Sequence, residues 1–198
     1  IISKDDTQFE MKIQRAVKTT KRENRPAVLL IKKGTFGKKS RDIKTTNHKL
    51  MKREEVLGFI LENLDEKSII VSSTGKTSRE IFEIREKNRQ SHNQDFLTVG
   101  SMGHCSSIAL GIAITKPDRK VVCIDGDGAL IMHMGFLSTV GKLKPKNFYH
   151  ILINNQAHES VGGQATSAKF VDINTLVLAN GYKNAFYSDN PMDLKSKF

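Results

Sequence analysis

The residues best suited to chemistry lie in two turns, each of which follows an apolar run. Asp127 stands between two glycines after the first run, and Asn155 comes after the second. The carboxylate of Asp127, the amide oxygen of Asn155 and the backbone carbonyl of Ala157 are hard oxygen donors, which suit Mg²⁺ when phosphate oxygens and water complete its octahedron. Glycines at a helix start also let backbone N–H groups approach an anion closely, and here these are Gly126 and Gly128. The two turns therefore predict a site for Mg²⁺ and a phosphate-bearing ligand.

The residues between the two turns predict how the turns meet. Residues 129–153 suffice for a crossover helix and a return strand, so the strands ending at Asp125 and Ile153 can lie parallel with both turns at one sheet edge. Asp125 is predicted to cap the turn that follows it and is not assigned to the metal.

From Met51 onward, apolar helix faces alternate with short buried strands. This alternation predicts an α/β fold, a doubly wound parallel sheet with helices on both faces. Helices are predicted at Val56–Leu64, Ser78–Lys87, Ser106–Ile114, His133–Gly141, Ile173–Ala179 (capped by Asp172, with Gly181 after it) and from Asn190, and strands at Ser68–Ser72, Phe96–Val99, Lys120–Asp125, Asn147–Ile153 and Lys183–Tyr187.

The beginning of the chain has a different pattern. Apolar residues at helical spacing between Phe9 and Val17 predict an amphipathic helix, and Ala27–Ile31 reads as a short buried strand. A polar, basic, glycine-containing stretch follows and predicts a linker. We therefore divide the chain into residues 1–33, a linker at 34–50, and a main domain at 51–198, which we expect to continue beyond the last residue.

Charge and composition narrow the range of partners. The 198 residues carry a net charge of +11, from 32 Lys and Arg against 21 Asp and Glu. The basic residues concentrate in the first 53 positions with few aromatic residues among them to stack on bases, so we do not predict nucleic-acid binding. No apolar run reaches the roughly 18 residues of a membrane span, so no membrane association is expected. Cys105 and Cys123 both lie in apolar surroundings, which favours reduced thiols in a cytoplasmic protein.

Two nucleotide-binding motifs are incomplete in this sequence. Gly75-Lys76-Thr77 resembles the end of a P-loop, but the glycine that a P-loop requires five residues earlier is Ile70. Likewise, Gly126-Asp127-Gly128 is not a dinucleotide fingerprint, because its third glycine position is Ile131. Neither an NTPase nor an NAD-binding protein is favoured.

The complete set of motifs resembles the signature of thiamine diphosphate enzymes. In that family Gly-Asp-Gly, followed at this spacing by Asn-Asn, holds Mg²⁺ on the diphosphate, a role that falls here to Asp127 and Asn155. Within the family, Thr98–Ala113 and Asn154–Gln164 resemble the phosphonopyruvate decarboxylases and their sister group, the sulfopyruvate decarboxylases. The resemblance covers residues 50–190 and implies thiamine diphosphate and Mg²⁺ as cofactors.

The resemblance also assigns roles to loops at other strand ends. It implies that a loop beginning at Thr74 contacts the diphosphate, and that Met102 wedges the cofactor into a bent shape. His158 and His104 are the catalytic candidates, since a histidine could stabilise an anionic substrate or supply a proton; His133 and His150 receive no role, and Glu159 and Ser160 are weaker candidates. The predicted cofactor contacts are Thr74, Gly75, Thr77, Ser78, Gly100, Ser101, Met102, Gly126, Gly128, Ala129 and Asn155.

The implied activity is decarboxylation of the 2-oxo acid phosphonopyruvate to phosphonoacetaldehyde and CO₂, a step of phosphonate biosynthesis. In this family the activating Glu comes from a pyrimidine-binding domain, and no position here matches that motif. Residues 1–33 resemble the end of such a domain. The chain is therefore expected to supply the diphosphate-binding half of a site, to be inactive alone, and to need a pyrimidine-binding domain from the same protein or a second subunit in a homo-oligomer, a dimer or larger.

Two alternatives remain open at this point. A subunit of a two-chain sulfopyruvate decarboxylase would share the core, although such a subunit is expected to begin near Met51, so that residues 1–46 favour a fused ancestor. A non-catalytic domain that binds the cofactor or a partner would also carry the same motifs.

Overall fold

The computed structural model describes residues 1–36 and 50–197. The chain divides into two compact units, Ile1–Asn47 and His48–Phe198. Most of the stretch predicted as a linker, residues 37–49, lies outside the described residues. The assignment of residues 1–33 to a pyrimidine-binding domain stays a prediction.

The first unit contains the predicted helix but not the predicted strand. Helix α1 spans Phe9–Glu23 and ends at Asn24, which adopts a left-handed conformation with φ of 46°. The prediction of a buried strand at Ala27–Ile31 was wrong. Ile31 forms only an isolated parallel bridge with Ile2, and Val28 and Leu30 are 81% and 61% exposed. A strand needs neighbours that satisfy its backbone and cover its side chains, and within the described residues of this unit the segment meets only Ile2 in that way.

The second unit is built on a four-stranded parallel sheet, which confirms the predicted fold class. The strands pair in the order β2-β1-β3-β4, and every pair is parallel. Their bounds are β1 Ile69–Ser72, β2 Asp95–Leu97, β3 Val121–Gly126 and β4 Phe148–Ile153. The helices of this unit are α2 Arg53–Asn63, α3 Lys76–Lys87, α4 Cys105–Thr115, α5 Asp127–Met132, α6 Phe136–Leu143, α7 Ile173–Ala179 and α8 Pro191–Lys197.

The two faces of the sheet carry separate apolar clusters. On one face, Leu57 and Ile60 of α2 and Ile81 of α3 pack against Val122 and Ile124 of β3. On the other face, residues of α4 pack against the alternate residues of β3; this cluster comprises Val71, Cys105, Ala109, Ala113, Val121 and Cys123. Because successive β3 side chains point to opposite faces, the uninterrupted apolar run is buried on both sides.

Two features of this unit differ from the sequence predictions. The helix predicted at His133–Gly141 is α6, Phe136–Leu143, and a separate helix, α5, precedes it and begins at Asp127, so that Gly128 lies in its first turn. An acidic residue in a first helical turn is favourable because it faces the positive end of the helix dipole. The strand predicted at Lys183–Tyr187 was wrong, since these residues adopt no regular structure and the side chain of Tyr187 is 69% exposed.

A short hairpin follows β4 and was not predicted. Strand β5, Ala157–His158, pairs antiparallel with β6, Gln164–Ala165. A 3-10 turn, Glu159–Val161, connects them, and another, Ser167–Phe170, follows. We call residues 157–168 the hairpin segment. The predicted cap of α7 is confirmed, because the Asp172 side chain accepts a hydrogen bond from the Thr175 amide. None of the helices in residues 1–36 and 50–197 is both long and apolar enough to cross a membrane.

Candidate functional site

The two chemistry-bearing turns meet at one edge of the sheet. Strands β3 and β4 pair in parallel with Asp125 opposite Leu152 and Gly126 opposite Ile153. The next residues of both strands therefore leave the sheet side by side at its carboxyl edge, where α/β folds bind their ligands. The predicted crossover is confirmed.

Asp127 is held in a buried position at the start of α5. It is 2% exposed, and its Oδ2 accepts a hydrogen bond from the hydroxyl of Thr166 in the hairpin segment. A buried carboxylate needs strong partners, and a hydroxyl together with the helix N-terminus supplies part of that stabilisation.

Asn155 shapes the turn that follows β4. Its Oδ1 accepts a hydrogen bond of 3.1 Å from the amide of Ala157, which closes an Asx turn. The same oxygen has a second lone pair that can still serve a cation. The residue between them, Gln156, has a left-handed φ of 57°, and its carbonyl accepts a hydrogen bond of 2.9 Å from the amide of Thr166.

His158 lies directly against the start of α5. A Cβ added to Gly128 would come within 2.5 Å of His158 Cε1, 2.7 Å of its Nδ1 and 3.3 Å of Thr166 Cγ2. Gly128 is therefore required by the imidazole ring that packs on it. At Gly126 an added Cβ would meet nothing within 4 Å, so space remains open in front of that residue.

The loop before α4 reaches α5 from another side. Ser101 and Gly103 both have left-handed φ values, 53° and 88°, and half-buried Met102 lies between them. A Cβ on Gly103 would come within 2.8 Å of the Ala129 carbonyl oxygen and 2.5 Å of His133 Cδ2. A serine in the left-handed region costs about 1–3 kcal/mol and persists only where its surroundings impose it, and such strain concentrates at functional sites.

His104 has a neighbour that the sequence did not reveal. Its ring lies 4.0 Å from that of His133, centroid to centroid, at an angle of 36°. Both rings line an open cleft with a volume of about 660 Å³, together with residues of α5 and α6. The sequence had given His133 no role.

The start of α3 is joined to the hairpin segment by polar contacts. Gly75 has a left-handed φ of 104°, and the Lys76 amide donates a hydrogen bond of 3.2 Å to Ser160 Oγ. The ammonium of Lys76 pairs with the Glu159 carboxylate. Glu159 also accepts a bond of 2.6 Å from Arg53, whose guanidinium forms a bidentate pair with Glu80 at 2.6 and 2.7 Å.

These contacts set the charge of Glu159. The hydrogen bond from Lys76 and then that from Arg53 lower the pKa of this carboxyl below its usual value, against the opposing effect of burial. Side chains of Lys76 and Glu159 are 41% and 42% exposed, so water screens the pair.

Two predicted cofactor contacts at the start of α3 carry hydroxyl groups and are buried, Thr77 at 8% exposed and Ser78 at 7%. The Ser78 hydroxyl lies 2.7 Å from Ser72 Oγ and 2.8 Å from the Ser73 carbonyl. A hydroxyl has one proton, and in this conformation both partners of the Ser78 hydroxyl lie at or next to the end of β1. The proton is therefore already used within the protein.

A buried polar group lies behind the first turn. Asp125 is fully buried, and its Oδ1 accepts a hydrogen bond of 2.9 Å from the Gly126 amide, which confirms the predicted cap. Its Oδ2 lies 3.6 Å from Nε2 of His150, whose Nδ1 is 3.1 Å from the Tyr182 hydroxyl. Burial, followed by the nearby Cys123 and Asp125, raises the pKa of Tyr182. The sequence had assigned no role to His150 and contained no signal for Tyr182.

The cysteines lie beside this group. Their sulfur atoms are 3.6 Å apart, and each lies within 4.8 Å of a carboxylate oxygen of Asp125. Burial raises the pKa of the Cys123 thiol well above its usual value. Both cysteines are free and buried, as expected for reduced core thiols.

The structure thus brings together the two chemistry-bearing turns and the loops at Gly75 and Gly103. The hairpin segment contacts the starts of both α3 and α5, and the loop at Gly103 contacts α5. A carboxylate, an amide oxygen, backbone carbonyls and the open space at Gly126 fit Mg²⁺ and a diphosphate. The individual ligand roles stay predictions. Thr166, Arg53 and Glu80 were missed, because no motif includes them.

Comparison with known proteins identifies the domain. Residues 73–198 match the family described as thiamine pyrophosphate enzyme, C-terminal TPP binding domain. Over 115 residues the chain is 44% identical to sulfopyruvate decarboxylase subunit beta of Methanocaldococcus jannaschii, covering 58% of each protein. Over 131 residues it is 39% identical to phosphonopyruvate decarboxylase of Streptomyces viridochromogenes, covering 66% of this chain and 32% of that protein.

A solved structure agrees on the fold. Benzoylformate decarboxylase from Polynucleobacter necessarius superposes with a TM-score of 0.58 at 17% identity, covering 81% of this chain and 32% of that chain. The chain spans only part of each of these relatives. Because the family match extends over more than half of its residues, the chain belongs to the thiamine pyrophosphate enzymes, whose C-terminal cofactor-binding domain it contains.

Proposed function

We propose that this chain supplies the diphosphate-binding half of a thiamine diphosphate- and Mg²⁺-dependent 2-oxo acid decarboxylase that converts phosphonopyruvate to phosphonoacetaldehyde and CO₂. Asp127, Asn155 and the Ala157 carbonyl hold Mg²⁺ in this proposal. When bound, thiamine diphosphate supplies the electron sink for the electrons released as CO₂ departs.

One observation carries the proposal. The parallel pairing of Gly126 with Ile153 directs the Asp127 carboxylate and the Asn155 turn to the same edge of the sheet. Hard oxygen donors from two neighbouring strand ends, next to a helix start with free space at Gly126, suit a metal–diphosphate pair.

Two basic residues lie near the site, and an anionic substrate would have to displace a carboxylate that pairs with them. Lys76 and Arg53 lie at the starts of α3 and α2, where Glu159 pairs with both. His158 packs on Gly128 and therefore borders the start of α5. We infer that His158 contacts the substrate or moves a proton, with His104 as the weaker candidate.

Sulfopyruvate is the second candidate substrate. The sulfopyruvate decarboxylase relative shares 44% of aligned residues with the chain, against 39% for the phosphonopyruvate decarboxylase. Phosphonate and sulfonate are both compact oxyanions, so Lys76, whose pair with Glu159 is exposed, suits either.

The proposal includes a partner. The family's activating Glu belongs to a pyrimidine-binding domain, so the complete site forms with that domain from the same protein or from a second subunit. The isolated chain is accordingly expected to bind cofactor weakly and without turnover. Rapid decarboxylation of phosphonopyruvate by the 198-residue chain alone would contradict this half-site assignment.

The metal assignment is tested by calorimetric titration of the chain, co-expressed with its pyrimidine-binding partner, with thiamine diphosphate in the presence of Mg²⁺ or of EDTA. Asp127→Ala should abolish the Mg²⁺-dependent part of the binding, because it removes the charged ligand. Asp127→Asn keeps the shape of the buried side chain and should weaken the same part. Asp172→Asn changes a carboxylate at the start of α7 and should leave Mg²⁺ dependence as in wild type.

Two results decide the outcome. Binding that ignores both Mg²⁺ and Asp127 would refute the proposed site. With a pyrimidine-binding partner present, the ratio of kcat/KM for phosphonopyruvate, sulfopyruvate and pyruvate distinguishes the two candidate substrates, and a preference for pyruvate would contradict the role given to the cations.

A further inference from the structure

Thr166 is a buried polar residue with three contacts at the candidate metal site. It is 5% exposed, and its hydroxyl donates to Asp127 Oδ2. The oxygen of that hydroxyl accepts a hydrogen bond of 3.3 Å from the Ala168 amide, and its own amide donates to the Gln156 carbonyl at 2.9 Å.

The side-chain contacts determine where the threonine proton points. A hydroxyl has one proton and two lone pairs. Because the Ala168 N–H donates to the oxygen, the proton is left for the Asp127 carboxylate. This contact ties Asp127 Oδ2 to the hairpin segment, and it therefore restrains the direction of the other carboxylate oxygen.

The backbone contact reaches the second half of the ligand set. Gln156 lies between Asn155 and Ala157, and its carbonyl is bound by Thr166 N. The β5–β6 pairing, Ala157 opposite Ala165, holds the same turn one residue further. A single residue therefore connects the carboxylate from β3–α5 to the amide turn from β4.

We propose that Thr166 is a positioning residue for Mg²⁺. Its hydroxyl orients the Asp127 carboxylate, and its backbone amide holds the Asn155–Ala157 turn beside that carboxylate. This inference rests on the proposed function, since it assumes that Asp127 and Asn155 hold the metal. Groups that orient a metal ligand typically change metal affinity 10–100-fold when they are removed, so an effect of about that size is expected here.

The test measures the Mg²⁺ concentration that gives half-maximal thiamine diphosphate binding, by calorimetry on the chain co-expressed with its pyrimidine-binding partner. Thr166→Val removes the hydroxyl and keeps the shape; it should raise that concentration about 10–100-fold, while saturating Mg²⁺ restores most of the binding. Thr166→Ser keeps the hydroxyl and should stay close to wild type. Melting temperature without ligand reports folding separately, and Thr166→Ala replaces the valine variant if that variant does not fold.

Thr175→Val is the matched control. The Thr175 hydroxyl also donates to an aspartate, Asp172 Oδ2 at 2.6 Å, but at the exposed start of α7. This variant should lower the melting temperature without changing the Mg²⁺ requirement. Equal Mg²⁺ requirements in wild type and Thr166→Val would overturn the inference. So would a loss of binding in Thr166→Val that saturating Mg²⁺ does not restore and that Thr166→Ser shows as well. If wild type binds no thiamine diphosphate with Mg²⁺, the proposed function fails and the inference with it; if only the Thr166 effect is missing, the proposed function stands.

Discussion

The hairpin segment contacts two helix starts in different ways. At α5 its contacts are buried: the Thr166 hydroxyl meets Asp127, and the His158 ring covers Gly128. At α3 its contacts are polar and exposed, since Glu159 and Ser160 meet Lys76 at the surface. Both helix starts belong to the predicted cofactor-binding loops.

We call the buried contacts at the start of α5 the fixed anchor and the exposed contacts of Glu159 and Ser160 with Lys76 the exchangeable anchor. Buried contacts are close-packed and tolerate no added volume, so the α5 side holds one geometry. Exposed ion pairs contribute little because water competes for them. We therefore expect the α5 start to keep its arrangement when the cofactor binds, and the Glu159 carboxylate to leave Lys76 when a phosphate approaches.

The largest effect is expected from Gly128→Ala. The added Cβ would lie 2.5 Å from His158 Cε1, and overpacking of this kind costs about 1–3 kcal/mol. Alanine would otherwise favour a helix by roughly 0.5–1 kcal/mol, so a net loss identifies the clash. Urea denaturation measures the free energy of unfolding.

Two companion variants sharpen this measurement. Gly126→Ala adds a Cβ that meets nothing within 4 Å, so it should leave the stability of the unliganded protein nearly unchanged. Adding His158→Ala to Gly128→Ala should recover part of the loss, because the ring is gone. An unchanged unfolding free energy for Gly128→Ala alone would show that the ring moves freely, against the fixed anchor.

A smaller effect is expected from Glu159→Gln. The variant loses the ion pairs with Lys76 and Arg53, but Arg53 keeps its bidentate pair with Glu80. A screened surface contribution of about 0.2–1 kcal/mol should disappear, and high salt should reduce the difference from wild type.

The same variant should bind inorganic pyrophosphate more tightly, because the competing carboxylate is gone. Glu86→Gln makes the same charge change further along α3, where Glu86 pairs with His92, and should affect pyrophosphate less. Weaker pyrophosphate binding by Glu159→Gln than by Glu86→Gln would contradict the exchangeable anchor.

The smallest effect is the pH dependence of Glu159. The hydrogen bonds from Lys76 and Arg53 hold the pKa of this carboxyl below its usual value of 4.5. The carboxylate therefore stabilises the fold above about pH 4.5, and this contribution disappears as the pH falls through the lower, folded-state pKa. The difference in unfolding free energy between wild type and Glu159→Gln should shrink at acid pH, and a constant difference would mean that the ion pairs do not form in solution.

Local sequence pattern predicted the central strands of the main domain more reliably than it predicted strands near the two ends of the chain. Continuous apolar runs at β1 and β3 predicted strands, and the structure buries them between α2, α3 and α4. The apolar run Ala27–Ile31 looks similar in sequence but does not form a buried strand, and neither does Lys183–Tyr187, which begins with two polar residues. Strand formation depends on neighbours as well as on composition, and a single sequence does not state which neighbours are present.

For the site, the sequence determined the ligand types and their approach to one sheet edge. Gly-Asp-Gly and Asn-Asn at this spacing, after two strands joined by a crossover, admit few other arrangements, because parallel pairing puts both turns at the same end. Only the tertiary structure decided which residues support them. Thr166 on Asp127, His158 on Gly128 and His133 on His104 are contacts across the fold between segments of unremarkable composition. Such contacts arise from packing in three dimensions, which no local motif encodes.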